Sequence, residues 1–220
     1  MLRVDEEITS ELNKDQKDFL LIIDKIFELE DIDVILFQDY DKGIVNETVI
    51  NHIIKKANSK IPIVVDPKKK NFSFYKNITL FKPNFKEFRD GINLTDSNRK
   101  ELLKRGAKIL HQKGIKIIFV TLSESGIFVS YKEGRKTISE IIPGTARDVV
   151  DVSGAGDTVA AVAAMLLNDV SIEEIAKIAN IAGGIVCEEI GVVPIDKDKL
   201  LEEYDSEKWN KQFFTKYSRN

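Results

Sequence analysis

One cysteine, Cys187, is all the chain has, so no disulfide can form within it. No clustered Cys/His spacing of the zinc-binding kind occurs either. Such a cysteine count suits the reducing cytoplasm, which is the expected compartment. Histidine is nearly as scarce. His52 and His111 fall in helical stretches without a partner histidine or a triad acid close in sequence, so both read as surface residues. An excess of one charge sign is also missing: 33 Lys and Arg face 36 Asp and Glu, and the net charge of -3 provides no global field for nucleic acid or a membrane surface. No apolar run reaches bilayer-spanning length, and the opening Met1-Leu2-Arg3-Val4-Asp5-Glu6-Glu7 lacks the apolar centre of a signal peptide. Neither Gly-x-x-x-x-Gly-Lys-Ser/Thr nor a Gly-x-Gly-x-x-Gly in a first βαβ unit is present, which excludes a Walker-type site and a dinucleotide fingerprint. Recognition must come from local sites.

What is present is an ordinary globular composition: 220 residues, 43% hydrophobic and 31% charged, enough for one large domain. Residues 11–30 carry Leu12, Phe19, Leu20, Ile23, Ile26 and Phe27 near one helical stripe. A buried strand, Val34-Ile35-Leu36-Phe37, then stops at the polar turn Gln38-Asp39-Tyr40-Asp41-Lys42-Gly43. The pattern repeats. A helix over about 46–58 leads to Pro62-Ile63-Val64-Val65 and the charged Asp66-Pro67-Lys68-Lys69-Lys70. Ile78-Thr79-Leu80-Phe81 then leads to Lys82-Pro83-Asn84. A helix over 95–113, capped by Thr95 or Asp96, precedes the strand Ile115–Thr121. Runs 126–132 and 135–142 alternate about Glu133-Gly134 as a hairpin, and helices are expected over 156–168 and 171–189, the second opened by Ser171. This alternation predicts an α/β layered fold with a mainly parallel sheet covered on both faces. The aromatic and basic Lys208–Tyr217 shows no clear period.

The stretch Val149-Val150-Asp151-Val152-Ser153-Gly154-Ala155-Gly156-Asp157-Thr158 stands out, with a β-branched run before it and an alanine-rich helical run after it. It reads as strand, tight turn and helix start. Backbone carrying only Gly154, Ala155 and Gly156 admits a ligand closely, and the first-turn amides of a helix attract anions, phosphate above all. Asp157 beside such a cradle would repel phosphate unless it has another role. General base for a hydroxyl attacking a phosphoryl group is that role. The plain alternative is a tight turn with Asp157 as a helix-dipole partner.

Other strand-end loops offer polar groups at the sheet edge where open α/β folds bind ligands. Asn84 and Glu87, three apart at a helix start, suit a hydrated magnesium ion, or else form a capping box with Asn84 as cap and Glu87 as its N3 acid. Thr121 and Ser123 can hydrogen-bond phosphate or ribose, and Gly126 lets the backbone turn under a nucleotide; a plain Ser-rich turn is the alternative. Asp39 and Lys42 on the first turn are candidates for the substrate side, with at most one cation of the following lysine run, Lys68; such a run is more often a solvated loop. Asn180 and Gly183 lie in a small-residue helical stretch that an adenine could rest on, or that packs closely on another helix.

At Asp151-Val152-Ser153-Gly154-Ala155-Gly156-Asp157-Thr158 the chain resembles the ribokinase-like, or PfkB, family of carbohydrate kinases, whose usual motif is Asp-Thr-x-Gly-Ala-Gly-Asp. Asn84-Phe85-Lys86-Glu87 stands in the position of the family's Asn-x-x-Glu, and the likeness runs to about residue 203. Gln38–Gly43, Val65–Lys68, Phe81–Asn84 and Val120–Gly126 look most like the kinase half of the bacterial ADP-heptose enzymes. The resemblance implies a three-layer αβα sandwich and ATP-dependent phosphorylation of D-glycero-β-D-manno-heptose 7-phosphate with magnesium. It makes Asp157 the base and Gly154, Ala155 and Gly156 the anion hole. Asn84 and Glu87 would organise magnesium through water, and Thr121, Ser123, Gly126, Asn180 and Gly183 would lie by the nucleotide. A ribose, fructose or nucleoside kinase, or a non-catalytic nucleotide-binding remnant, are the alternatives. Val152 replaces the usual threonine, and Ser123 stands where many relatives carry glycine. Leu2-Arg3-Val4-Asp5 resembles the end of the family's lid, so the kinase domain is read as 1–205 without its N-terminal sugar-binding segment, followed by a tail at 206–220. No His-x-Gly-His sequence of an appended nucleotidyltransferase occurs. Sheet edges left open in such a chain predict a homo-oligomer, with small molecules rather than nucleic acid or membrane as its ligands.

Overall fold

The computed structural model describes residues 10, 12 and 15–206. The expected tail, with its aromatic stretch, and the lid-like Leu2–Asp5 lie outside the described residues. The chain divides into two compact units, one up to Ile118 and one from Phe119.

In the first unit α1 (Gln16–Leu29) is followed by β1 (Ile35–Gln38), α2 (Glu47–Ala57), β2 (Ile63–Asp66), β3 (Leu80–Phe81), α3 (Phe85–Ile92) and α4 (Arg99–Gln112). The strand β4 (Ile117–Thr121) begins here and ends in the second unit. β1, β2, β3 and β4 pair in parallel in that order, with Gln38 beside Asp66, Val65 beside Phe81 and Phe81 beside Ile118. Every residue of β2 is buried, as its near-continuous aliphatic run requires of a strand covered on both faces. The segment after β2 folds back and plugs this core. Phe72 packs edge-on against Phe81 with ring centroids 4.9 Å apart, and Tyr75 against Phe37 at 5.6 Å.

Three expectations need correction in this unit. α4 starts at Arg99 rather than at 95, because Asn98 is the cap, accepting from the amides of Lys100 and Glu101. Asp96 instead accepts from the Asn98 amide and from Arg105, an Asx-type turn that competes with helix. His111 is buried, its Nδ1 2.8 Å from the Ile115 carbonyl oxygen, because it closes the α4–β4 turn from the inner face of the helix. His52 does have an acid: its Nε2 lies 2.7 Å from Asp24 Oδ1, which Lys56 also reaches at 2.9 Å, tying α2 to α1.

The second unit contains the end of β4, a 3-10 turn at Ser123–Ser125, and the antiparallel pair β5 (Ile127–Glu133) and β6 (Lys136–Ile142). Gly134, at a φ of 59°, sits in the expected hairpin turn. α5 (Ala155–Leu166), α6 (Ile172–Val186) and α7 (Lys197–Ser206) follow. Ser171 and Glu174 form a reciprocal capping box at the start of α6. The alanine content of α5 and α6 is explained by their close approach: a Cβ on Gly183 would come within 2.7 Å of Val159 Cγ2. The strand expected before Gly154 does not form. Val149, Val150 and Val152 are exposed, and the amides of Val150 and Asp151 both donate to the carbonyl of Cys187 at the end of α6, which holds the segment as a loop.

Candidate functional site

The second unit presents the Gly-Ala-Gly-Asp stretch on a braced loop. Asp151 is the brace. Its Oδ1 accepts from the amide and the hydroxyl of Ser153 at 2.9 and 2.8 Å, and its Oδ2 accepts from the Gly191 amide at 3.0 Å. The Ser153 hydroxyl above all, helped by these amides, holds the Asp151 carboxyl below its ordinary value of 3.8. Gly154 then takes a φ of 79° as the cap of α5, a left-handed turn that glycine makes without strain. A Cβ there would also crowd Val192, 3.1 Å away. The helix begins at Ala155, so Asp157 lies in its first turn, half-buried, where amides lack the carbonyl four residues back. The Ala155 amide reaches the Val152 carbonyl at 3.3 Å, and the regular ladder starts with Thr158 on Gly154 at 2.9 Å.

Sequence reasoning missed Arg147, whose side chain is 8% exposed. It donates to Glu188 at 2.8 Å and to both carboxylate oxygens of Glu203, fastening the loop to the end of α6 and to α7. Burial works against its charge, but Glu203 and Glu188 outweigh that and raise its pKa. The guanidinium also explains Gly184, since a Cβ there would lie 2.4 Å from Arg147 Nε. An arginine seven residues before Gly154 has no local signal marking it, because its partners are 41 and 56 residues away.

The nucleotide-side candidates are spread over three places in this unit. Thr121 ends β4, and Ser123 follows in the 3-10 turn at a φ of 53°, a conformation glycine adopts readily and serine only at some cost. Gly126, at a φ of 92°, has no room for a side chain, since a Cβ would meet the Ile142 carbonyl oxygen at 2.1 Å. Asn180 Nδ2 donates to the Pro143 carbonyl at 2.8 Å. Gly183 is buried against α5.

In the first unit the polar groups gather at the C-terminal ends of β1, β2 and β3. Asp66 closes β2, and its Oδ2 accepts from Gln38 Nε2 at 3.1 Å and pairs with Lys82 Nζ at 3.0 Å, so three neighbouring strand ends are cross-linked. The Lys82 and Asp66 side chains are only 2% and 6% exposed. Burial pushes the Asp66 carboxyl above its ordinary value even though Lys82, then Lys68, pull the other way. Nothing in the local sequence Lys82-Pro83-Asn84 marks this pair, because Asp66 is 16 residues away. Asp39 is buried as well, its oxygens taken by Asn71 Nδ2 at 2.9 Å, Tyr75 OH at 3.1 Å and the Asp41 amide at 2.9 Å. It shapes the turn that carries the exposed Lys42.

Asn84 caps α3 and forms the full reciprocal box: its Oδ1 accepts from the Glu87 amide at 2.8 Å, and Glu87 Oε2 accepts from the Asn84 amide at 2.9 Å. Glu87 has a second partner. Lys68 Nζ stands 2.7 Å from Oε1, on the loop that leaves β2. Among the described residues no group of three or more His, Cys, Asp or Glu could hold a metal by itself. The donor set nonetheless fits magnesium that keeps its waters and takes its other ligands from phosphate. One carboxylate is fixed in orientation by the capping box, and a positive charge already rests on its remaining oxygen.

A family model described as pfkB family carbohydrate kinase matches residues 9–198. Among curated proteins, "Bifunctional protein HldE" of Campylobacter curvus is 36% identical over 194 residues, 87% of this chain and 40% of that protein. The protein of the same name from Nitratiruptor sp. is 33% identical over 207 residues, 93% of this chain and 42% of its own length. The chain thus spans about two fifths of the curated relatives it matches. Among solved structures, Arabidopsis thaliana ribokinase complexed with ribose and ATP superposes with a TM-score of 0.65 at 21% identity, covering 88% of this chain and 59% of that one. Escherichia coli phosphofructokinase-2 in complex with potassium gives 0.74 at 20% identity, with coverages of 90% and 64%. These likenesses establish a ribokinase-like α/β fold. No helix among the described residues is long and apolar enough to cross a membrane.

Proposed function

Because the chain belongs to the pfkB family of carbohydrate kinases, we propose that it transfers the γ-phosphoryl group of ATP to a hydroxyl of a sugar or sugar phosphate. The substrate we favour is D-glycero-β-D-manno-heptose 7-phosphate, phosphorylated at its anomeric hydroxyl to the 1,7-bisphosphate on the way to lipopolysaccharide core. The relatives that carry the name HldE, and the loops that resemble the heptose branch, support that choice. The chemistry and the single cysteine suit the cytoplasm.

The observation that carries the reading is the cap of α5: left-handed Gly154 turns the chain so that Asp157 and the first-turn amides stand together. Asp157 takes the proton of the attacking hydroxyl as its oxygen bonds to the γ-phosphorus and the bond to the bridging oxygen of ADP breaks. The amides of Gly154, Ala155 and Gly156 stabilise the charge spread over the transferring group. Thr121, Ser123, Gly126 and Asn180 serve the nucleotide, and the turn bearing Lys42, supported by Asp39, serves the sugar. Magnesium, when bound with the nucleotide, neutralises phosphate charge. Asn84 and Glu87 would hold its water shell in place.

Titration calorimetry of ATP with magnesium tests the assignment. Asn84→Ala combined with Glu87→Ala is expected to weaken magnesium-dependent ATP binding by about tenfold or more, the scale of a lost charge-assisted contact. Unchanged affinity would leave the two residues as a helix cap and refute their part in the site.

A further inference from the structure

The two lysine–carboxylate pairs of the first unit differ in a way that assigns them different work. Lys82 and Asp66 are sealed, 2% and 6% exposed, so neither can leave the other without leaving a bare buried charge. Lys68 and Glu87 are 38% and 12% exposed. Glu87 is the fixed member, since Oε2 is engaged by the Asn84 amide and the residue sits in the first turn of α3. Lys68 is the movable one. It reaches Oε1 from the loop after β2 on a long side chain that is partly in solvent, and such a pair is weak enough to exchange.

We propose that Lys68 is a resident counter-cation of Glu87 that gives way to the divalent ion and passes to a phosphate oxygen of the nucleotide. This rests on the assignment of Glu87 to the metal and phosphate end of the site, and it places Lys68 on the nucleotide rather than on the sugar. Without a ligand, Lys68 neutralises Oε1 and keeps the carboxylate aimed. When magnesium arrives with its nucleotide, the carboxylate turns its charge to the metal's water shell, and the displaced ammonium finds phosphate oxygens as new acceptors. The same lysine therefore opposes binding of a bare cation and favours binding of the cation–nucleotide complex.

That opposition of sign is the test, and a lysine with only a structural role would not show it. Two titrations of the full chain are compared: Mn2+ alone, followed by loss of its free-ion paramagnetic resonance signal, and magnesium ATP by calorimetry. Lys68→Met is expected to tighten Mn2+ by about 3–5-fold, the scale of an exposed ion pair removed from competition. The same variant should weaken magnesium ATP by about tenfold. Adding Glu87→Gln should abolish the gain for Mn2+, and Lys68→Arg, which keeps the charge, should behave as the unsubstituted protein in both titrations. If Lys68→Met leaves Mn2+ affinity unchanged or lowers it while Asn84→Ala with Glu87→Ala still weakens magnesium ATP, the exchange is refuted and the metal assignment stands. If the Asn84 and Glu87 substitutions also leave magnesium ATP unaffected, both are refuted.

Discussion

Replacing Lys82 by methionine removes the cation from a carboxylate that stays buried. Methionine nearly preserves the length of the side chain, so packing around β3 changes little. The cost is electrostatic: Asp66 keeps one neutral donor, Gln38 Nε2 at 3.1 Å, and loses the ammonium at 3.0 Å. With both side chains at 6% exposure or less, the penalty belongs to the class of broken buried pairs, about 3–5 kcal/mol at neutral pH. The pH dependence has a definite sign. Burial already lifts the Asp66 carboxyl above 3.8, and removing Lys82 lifts it further, so the folded state binds a proton that the unfolded state has released. Stability of the variant must then fall as pH rises from the unfolded value through the raised folded one, and the deficit against the unsubstituted protein should shrink toward pH 4. Urea denaturation followed by far-ultraviolet circular dichroism at pH 7, 5.5 and 4.5 measures it. Asp66→Leu added to Lys82→Met should recover most of the loss, since an apolar pair replaces a bare charge and only the Gln38 hydrogen bond, about 1 kcal/mol, goes missing. A Lys82→Met loss under about 1 kcal/mol that does not vary with pH would refute the reasoning.

Two further outcomes follow from other places in the chain. Ser123→Gly should stabilise by about 0.5–1 kcal/mol, because relief of the left-handed strain at a φ of 53° exceeds the added freedom of the unfolded chain; thermal denaturation showing a loss would contradict it. On α1, Leu21, Ile22, Ile26 and Leu29 are 58%, 55%, 46% and 78% exposed, so the chain should self-associate and Ile22→Glu with Leu29→Glu should reverse this. Sedimentation of the unsubstituted chain as a clean monomer at high concentration would count against that expectation.

The parallel strands were legible because β2 and β4 are aliphatic runs bounded by polar loops, and the hairpin because its alternation flanks a glycine. The glycine turn was legible too, since its composition admits few other backbones. The sequence misleads where long-range partners override local preference. Val149 to Val152 has strand-forming residues, but the amides of Val150 and Asp151 are claimed by the Cys187 carbonyl far along the chain, and it stays a loop. Asp96 looks like a helix cap yet is drawn off by Arg105, leaving Asn98 to do the capping. Lys82 and Arg147 carry no local signal in the sequence; only the fold brings Asp66, Glu188 and Glu203 to them. At Asn84 and Glu87 the residues were found but two roles were open, and the capping box is formed in full, with Lys68 added to it.

The most direct measurement is steady-state phosphoryl transfer from ATP to heptose 7-phosphate, beside ribose, fructose and fructose 6-phosphate, for the unsubstituted protein and for Asp157→Asn. The asparagine keeps the size of the side chain and removes the basic lone pair. Transfer to the heptose should be preferred, and Asp157→Asn should lower kcat by about 10²–10⁴-fold with little change in ATP affinity. Near-normal turnover in Asp157→Asn would contradict the assignment of Asp157 as the base of a sugar kinase.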